Sequence, residues 1–175
     1  MPHTLIALVQ DRPGVLNRVV SLFRRRGFNI ESLAVGHSET PGVSRMTLVV
    51  EAEDVEQVIK QLFRVIEVLK VSDVTSDPTV ERETALLKVN GQRSNLSDLM
   101  ALTNVFGAKI ADAGVNSVII EMSGTTTQID IFIEAVRPFG LKELTRSGRI
   151  AMLRSPQPAE LPGDVTLYRS PNGRG

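Results

Sequence analysis

Cysteine is absent from this 175-residue chain. That removes disulfides, thiolate nucleophiles and cysteine-ligated metals together, and it fits a reducing compartment. Tryptophan is absent too, and aromatic residues make up only 4% of the sequence. RNA-binding sheets stack bases on exposed rings of their central strands, and residues 5–9 and 46–50 carry no aromatic ring. Excess charge of either sign is lacking: 20 basic residues balance 20 acidic ones. No overall field draws such a protein to nucleic acid or to an anionic membrane. No apolar run approaches the ~20 residues that span a bilayer, and residues 1–10 are too short and lack the basic leader of a signal peptide. The expectation is a soluble cytoplasmic protein. His3 and His37 are the only histidines, neither with a second His or a Cys at ligand spacing, so no metal is expected. Nucleophile elbow, Walker loop and Rossmann glycine fingerprint are all missing, and the sequence does not read as an enzyme acting alone.

What is present is an alternation of short β-rich runs with helical periods. Residues 5–10 read as a strand. Residues 13–26 read as a helix with Val15, Leu16, Val19, Leu22 and Phe23 on one face, and residues 28–35 and 46–52 as two strands. Asp54, with Gln57 three residues on, caps a second helix carrying Val55, Val58, Ile59, Leu62, Phe63 and Ile66 before a strand at 68–74. The order is βαββαβ. It recurs 80 residues later: Gly27-Phe28-Asn29-Ile30 meets Gly107-Ala108-Lys109-Ile110, and Val35 meets Val115. In this second copy residues 85–89 form the first strand, and Asn95 caps a helix bearing Leu96, Leu99, Met100, Thr103 and Phe106. Residues 117–122 continue the sheet. Thr125 and Gln128 form a capping box before Ile129, Phe132, Ile133 and Val136, and residues 139–145 close the unit. The fold class is α+β, two ferredoxin-like units of antiparallel sheet with helices on one face. Residues 1–76 form the first, 77–82 (within SDPTVER) a linker, 83–154 the second, and 155–175 a loosely held proline-rich tail. A unit of ~70 residues with one bare sheet face is marginal by area, so pairing within a dimer is expected.

The segment VQDRPGVLNRVVSLFRRRGFNIESL carries the chemistry. Pro13 suits the first turn of a helix, Gly14 lets a ligand reach the backbone, and the first-turn amides with the helix dipole form a seat for a carboxylate. Asn29, just past the helix, accepts hydrogen bonds from an ammonium. An amino acid carries both groups. An ordinary turn glycine and a helix-terminal asparagine would look the same in isolation. The internal copy decides between the readings, because it keeps the pattern while placing Ser94 at the position of Gly14 and Lys109 at that of Asn29. The fold does not require Gly14 and Asn29, so the first unit is the candidate ligand binder. Arg24, Arg25 and Arg26 could form a phosphate or nucleic-acid patch, but three cations in the last turn also complement the negative end of their helix, and a solvated face is the preferred reading.

DRPGVLNRV followed by RRGFNIESLAVG, SRMTLVV, QLFRVIEVLKVSDVT and VERETALLKV resembles the regulatory small subunit of acetolactate synthase, also called acetohydroxyacid synthase, over residues 4 to about 154. The resemblance implies an N-terminal ACT domain that binds valine, a C-terminal ferredoxin-like domain, and a homodimer that activates a separate catalytic large subunit and confers feedback inhibition in branched-chain amino acid biosynthesis. That partner carries thiamine diphosphate, magnesium and FAD, and none of them is expected on this chain. The resemblance further places the effector between two ACT domains, touched by Asp11, Gly14, Val15 and Leu16 of one chain and by Asn29 and Ile30 of the other. Many relatives have Asn where Asp11 stands; a carboxylate there favours the ligand's ammonium and repels its carboxylate. A stand-alone amino-acid sensor acting on another enzyme or on transcription is the alternative, though no basic recognition helix is present.

Overall fold

The computed structural model describes residues 1–90, 96–155 and 167–168. Two compact units emerge, Met1–Val80 together with the segment from Ala151, and Glu81–Ile150. In the first, β1 (Pro2–Gln10), α1 (Val15–Arg26), β2 (Asn29–His37), β3 (Val43–Glu51), α2 (Val55–Leu62) and β4 (Val68–Asp73) follow in sequence. β5 (Thr79–Asn90) leads into the second, which continues with α3 (Leu96–Phe106), β6 (Lys109–Ala113), β7 (Ser117–Gly124), α4 (Thr126–Val136) and β8 (Leu141–Arg146), and β9 (Ile150–Leu153) returns the chain to the first at Ala151. Both sheets are antiparallel and both show one strand order: β4-β1-β3-β2 and β8-β5-β7-β6. This is the expected βαββαβ arrangement.

The repeat reaches individual hydrogen bonds. Gly27 ends α1 in the left-handed region at φ 71°, and Gly107 follows α3 at φ 66°. Each lets the chain turn back so that the next amide, Phe28 or Ala108, donates to Phe23 O or Thr103 O. One residue is looped out of β2 between Ile30 and Ser32, and one out of β6 between Ile110 and Asp112. β1 shifts register against β4 at Leu8/Val9, and β5 against β8 at Lys88/Val89. Every one of these pairs is 80 residues apart.

The caps form as the sequence specifies. Asp54 accepts from the Gln57 amide at 3.1 Å, and Thr125 and Gln128 make a reciprocal capping box. Inward faces are apolar: Leu5, Val19, Phe23, Leu48 and Leu62 anchor one core, and Leu87, Leu99, Ile120, Ile129 and Phe132 the other. Thr103 enters the second core with its hydroxyl donating to Leu99 O at 2.7 Å.

Several details depart from the sequence reading. α1 starts at Val15, because Gly14 takes φ 84° and leaves Pro13 in the preceding turn. Leu16 is 44% exposed on the flank of a helix whose buried stripe is Val15, Val19, Leu22 and Phe23. Ile66 is 75% exposed because α2 ends at Leu62, and the chain then turns through Val65, which packs in its place. Met100 lies on the outer flank of α3. Val115 falls in the tight turn closed by the Gly114 amide on Ser117 O, so its match to Val35 ends with the shorter β6–β7 hairpin. Phe139 belongs to a 3-10 turn that precedes β8. β5 begins at Thr79, inside the SDPTVER stretch. The cap assigned to Asn95 lies outside the described residues. Within the tail, Leu167–Tyr168 (β10) pairs with β4.

The outer face of the first sheet is covered in part by the chain itself. Ile6 and Val74 bury against Ala151, and Arg45 donates to the Ala151 carbonyl at 3.0 Å. In the second unit the VERE run acquires a structural role. Alternate residues of β5 carry Glu81, paired with Arg149 at 2.9 Å, and Glu83, which meets Arg146 Nε at 2.8 Å and Nη2 at 2.7 Å. Arg146 Nη1 also reaches Asp130 of α4 at 2.7 Å. The hydrogen bonds of Glu83 raise the Arg146 pKa against the opposing effect of burial, so the guanidinium stays charged. Glu83 is buried whereas Asp130 is 55% exposed in its side chain. Glu83→Ala is therefore expected to destabilise the second unit by about 2–4 kcal/mol, discounted for the 31% exposure of Arg146. Asp130→Ala is expected to cost under about 1 kcal/mol, and urea unfolding measures both.

Candidate functional site

The loop from Asp11 to Gly14 joins the end of β1 to the start of α1, and its backbone is tied down at both ends. The Asp11 amide donates to Gly42 O at 2.8 Å, the Gln10 amide to Glu67 O at 2.9 Å, and the Arg18 amide to Gly14 O at 3.0 Å. Not all first-turn amides are open, since Val15 N–H is used by the turn on Arg12 O at 3.3 Å. Leu16 and Asn17 remain as the amides that helix geometry leaves without an intrahelical acceptor, and Gly14 offers no side-chain cap. A bare helix N-terminus of this kind attracts a carboxylate.

Side chains around the loop make two close contacts that the sequence did not disclose, Asp11 with His37 and Arg18 with Glu67. The Asp11 carboxylate lies 3.2 Å from Nδ1 of His37, the last residue of β2. Arg18 folds back over Gly14: a β-carbon on that glycine would stand 3.3 Å from Arg18 Nη1. The other terminal nitrogen of Arg18 meets Glu67 Oε1 at 2.6 Å. Arg18 was discoverable in principle, because residues four apart share a helix face. Glu67 and His37 come from distant points of the chain and left no local signal.

The predicted site residues fall into two groups. Asp11, Gly14 and Leu16 lie together at the loop; Val15 is turned into the core beneath them. Asn29 and Ile30 stand at the start of β2, level with Glu51 and Val50 of β3, and hence with Pro2 and His3 of β1. Asn29 is exposed, while Ile30 packs half-buried against the core. At ~3.3 Å per strand residue, the two groups are separated by about 26 Å along the sheet. A single chain does not bring them together. In the second unit Lys109 opens β6 opposite Glu121, and Ser94 lies outside the described residues.

Among the described residues no group of three or more His, Cys, Asp or Glu is placed to hold a metal, and no helix is long and apolar enough to cross a membrane.

The chain was compared with known proteins. The family description "AHAS small subunit-like ACT domain" matches residues 5–70, and "Small subunit of acetolactate synthase" matches residues 82–155. A probable acetolactate synthase small subunit of Archaeoglobus fulgidus is 50% identical over 156 residues, covering 88% of this chain and 98% of that protein. The acetolactate synthase small subunit of Bacillus subtilis is 42% identical over 160 residues, 90% of this chain and 93% of its own. The crystal structure of the small subunit from Thermotoga maritima superposes with a TM-score of 0.84 at 37% identity, covering 90% of this chain and 99% of that one. A relationship of that depth over both units carries more than the fold, and it implies a large-subunit partner. The chain belongs to the family of small, regulatory subunits of acetolactate synthase, with an ACT domain as its first unit.

Proposed function

We propose that this chain binds valine between the ACT domains of two copies, activates the catalytic large subunit of acetolactate synthase and makes it subject to feedback inhibition. The observation that carries this reading is the placement of Asn29 at one end of β2 and of His37, with Asp11 beside it, at the other. β2 is an edge of its sheet. If it pairs antiparallel with its own copy about a two-fold axis near Leu33, residue 29 of each chain lies against residue 37 of the other. The two half-sites, about 26 Å apart in one chain, then meet twice in the dimer. Exposed Leu16 and Val20 on α1 and Val35 on β2 supply apolar surface for the same contact.

In such a seat the valine carboxylate meets the Leu16 and Asn17 amides, with Gly14 keeping the approach clear. Asn29 of the second copy and the Asp11 carboxylate receive the ammonium. Leu16 and the second copy's Ile30 flank the isopropyl group, and Val15 holds the loop from the core below. Residues 1–76 carry the effector, 77–82 lead into the second unit at 83–154, and 155–175 form the tail. The chain is non-catalytic in this reading and works in the cytoplasm; thiamine diphosphate, magnesium and FAD belong to the large subunit.

Titration calorimetry on the full chain is expected to show valine binding that Gly14→Asp weakens at least tenfold, because a side chain at φ 84° strains the turn and a second carboxylate repels the ligand. Alanine is expected to bind worse by about 1–3 kcal/mol per methylene lost, with leucine and isoleucine as competitors. Gly14→Asp with unchanged fold and unchanged valine affinity would place the site elsewhere. The large subunit is expected to co-purify with the tagged chain, and valine and that partner to alter each other's affinity by one common factor if inhibition works through binding. A chain that binds valine but retains no large subunit would instead favour a stand-alone sensor.

A further inference from the structure

We propose that Arg18, held in place by Glu67, is the side-chain anchor for the effector's carboxylate. The proposal rests on the reading of the loop at Gly14 as the effector seat and names a residue that the sequence did not single out. Arg18 stands one turn into α1, and its guanidinium lies over Gly14 at the positive end of the helix. A cation there is electrostatically misplaced unless an anion joins it. Glu67 supplies one anion from behind, through Oε1 at 2.6 Å from Nη2. The guanidinium is thus spread between Gly14, on the side of Nη1, and Glu67, on the side of Nη2. Nη1 is the Arg18 atom closest to the space a side chain at position 14 would fill, on the loop whose first-turn amides are expected to receive the carboxylate.

The burial of Glu67 makes this arrangement rigid. Its side chain is 11% exposed, and its second oxygen, Oε2, is buried with no hydrogen-bond partner among the described residues. Were Arg18 to leave, a buried carboxylate would lose its cation, which is far more unfavourable than keeping the pair. Glu67 is itself fixed, since its carbonyl accepts the Gln10 amide at the end of β1. Arg18 is therefore oriented before any ligand arrives, and a ligand carboxylate adds to the pair instead of competing for it. The glycine at position 14 gains a second reason: a β-carbon 3.3 Å from Nη1 would oblige the guanidinium to give by a few tenths of an ångström.

The test uses the full-length chain and two probes, L-valine and L-valinamide, which keeps the ammonium and isopropyl groups but has no carboxylate. Titration calorimetry on the wild type is expected to favour valine over valinamide by at least tenfold. Arg18→Met retains the aliphatic stem, and in it valine affinity is expected to fall at least tenfold while valinamide changes less than twofold, so the preference collapses. Arg18→Lys keeps the charge and is expected to recover part of the preference. Glu67→Gln is expected to lower valine affinity three- to tenfold through loss of orientation. Circular dichroism melting identifies any variant that unfolds; should Arg18→Met do so, the Lys and Gln variants carry the test. Full preference for valine in folded variants would overturn the role of Arg18 and leave the effector seat standing. A wild-type chain that binds neither probe would overturn the seat itself, and the anchor with it.

Discussion

Strands β1 and β2 run in the same direction with β3 antiparallel between them, and that arrangement governs what the molecule can do. It fixes the loop after β1 and the start of β2 at opposite ends of the sheet. It also makes β2 an edge with nine residues of backbone available for extension. The helices are committed to the inner face by Val19, Phe23, Val58 and Leu62. New surface must therefore come from the edge, the outer face or the loops. The outer face is partly closed by Ala151 against Ile6 and Val74, and the loop at Gly14 is braced by Arg18 and Glu67. The edge is left.

The second unit shows which features of the first the fold itself demands. Gly27 and Gly107 recur because reversing the chain after a helix requires a positive φ whatever the protein does. The looped-out residues at Glu31 and Ala111 recur because each re-aims an edge strand in the same place. Position 29 is different: Asn in one copy and Lys in the other, on equally placed first residues of β2 and β6. The backbone of that position is copied while its side chain is not.

Much of this was legible in the chain because the signals are local. Asp54 with Gln57, Thr125 with Gln128, and the apolar period of α4 each lie within a few residues, and each formed as read. Ile66 and Met100 misled because an apolar residue in phase with a helix says nothing about where that helix ends or how wide its buried stripe is. The start of β5 inside a Pro-containing, charged stretch was hidden for another reason. Glu81 and Glu83 look like solvent-facing residues until Arg149 and Arg146 arrive from over 60 positions away. The candidate site divides in the same manner. Gly14 and Asn29 were singled out by comparison with the internal copy, and Arg18 stands four residues from Gly14, whereas His37 and Glu67 became partners of the loop only through long-range register.

The closure of Ile6 and Val74 by Ala151 has a consequence for synthesis on the ribosome. The first unit is discontinuous, since its last piece follows all of Glu81–Ile150 in the chain. At ~5–20 residues per second, that intervening stretch takes on the order of ten seconds to translate. Throughout it the emerging first sheet shows Ile6 and Val74 without their cover, and Arg45 without the carbonyl it later meets. The cover for Ile6 and Val74 is thus synthesised only after the whole second unit.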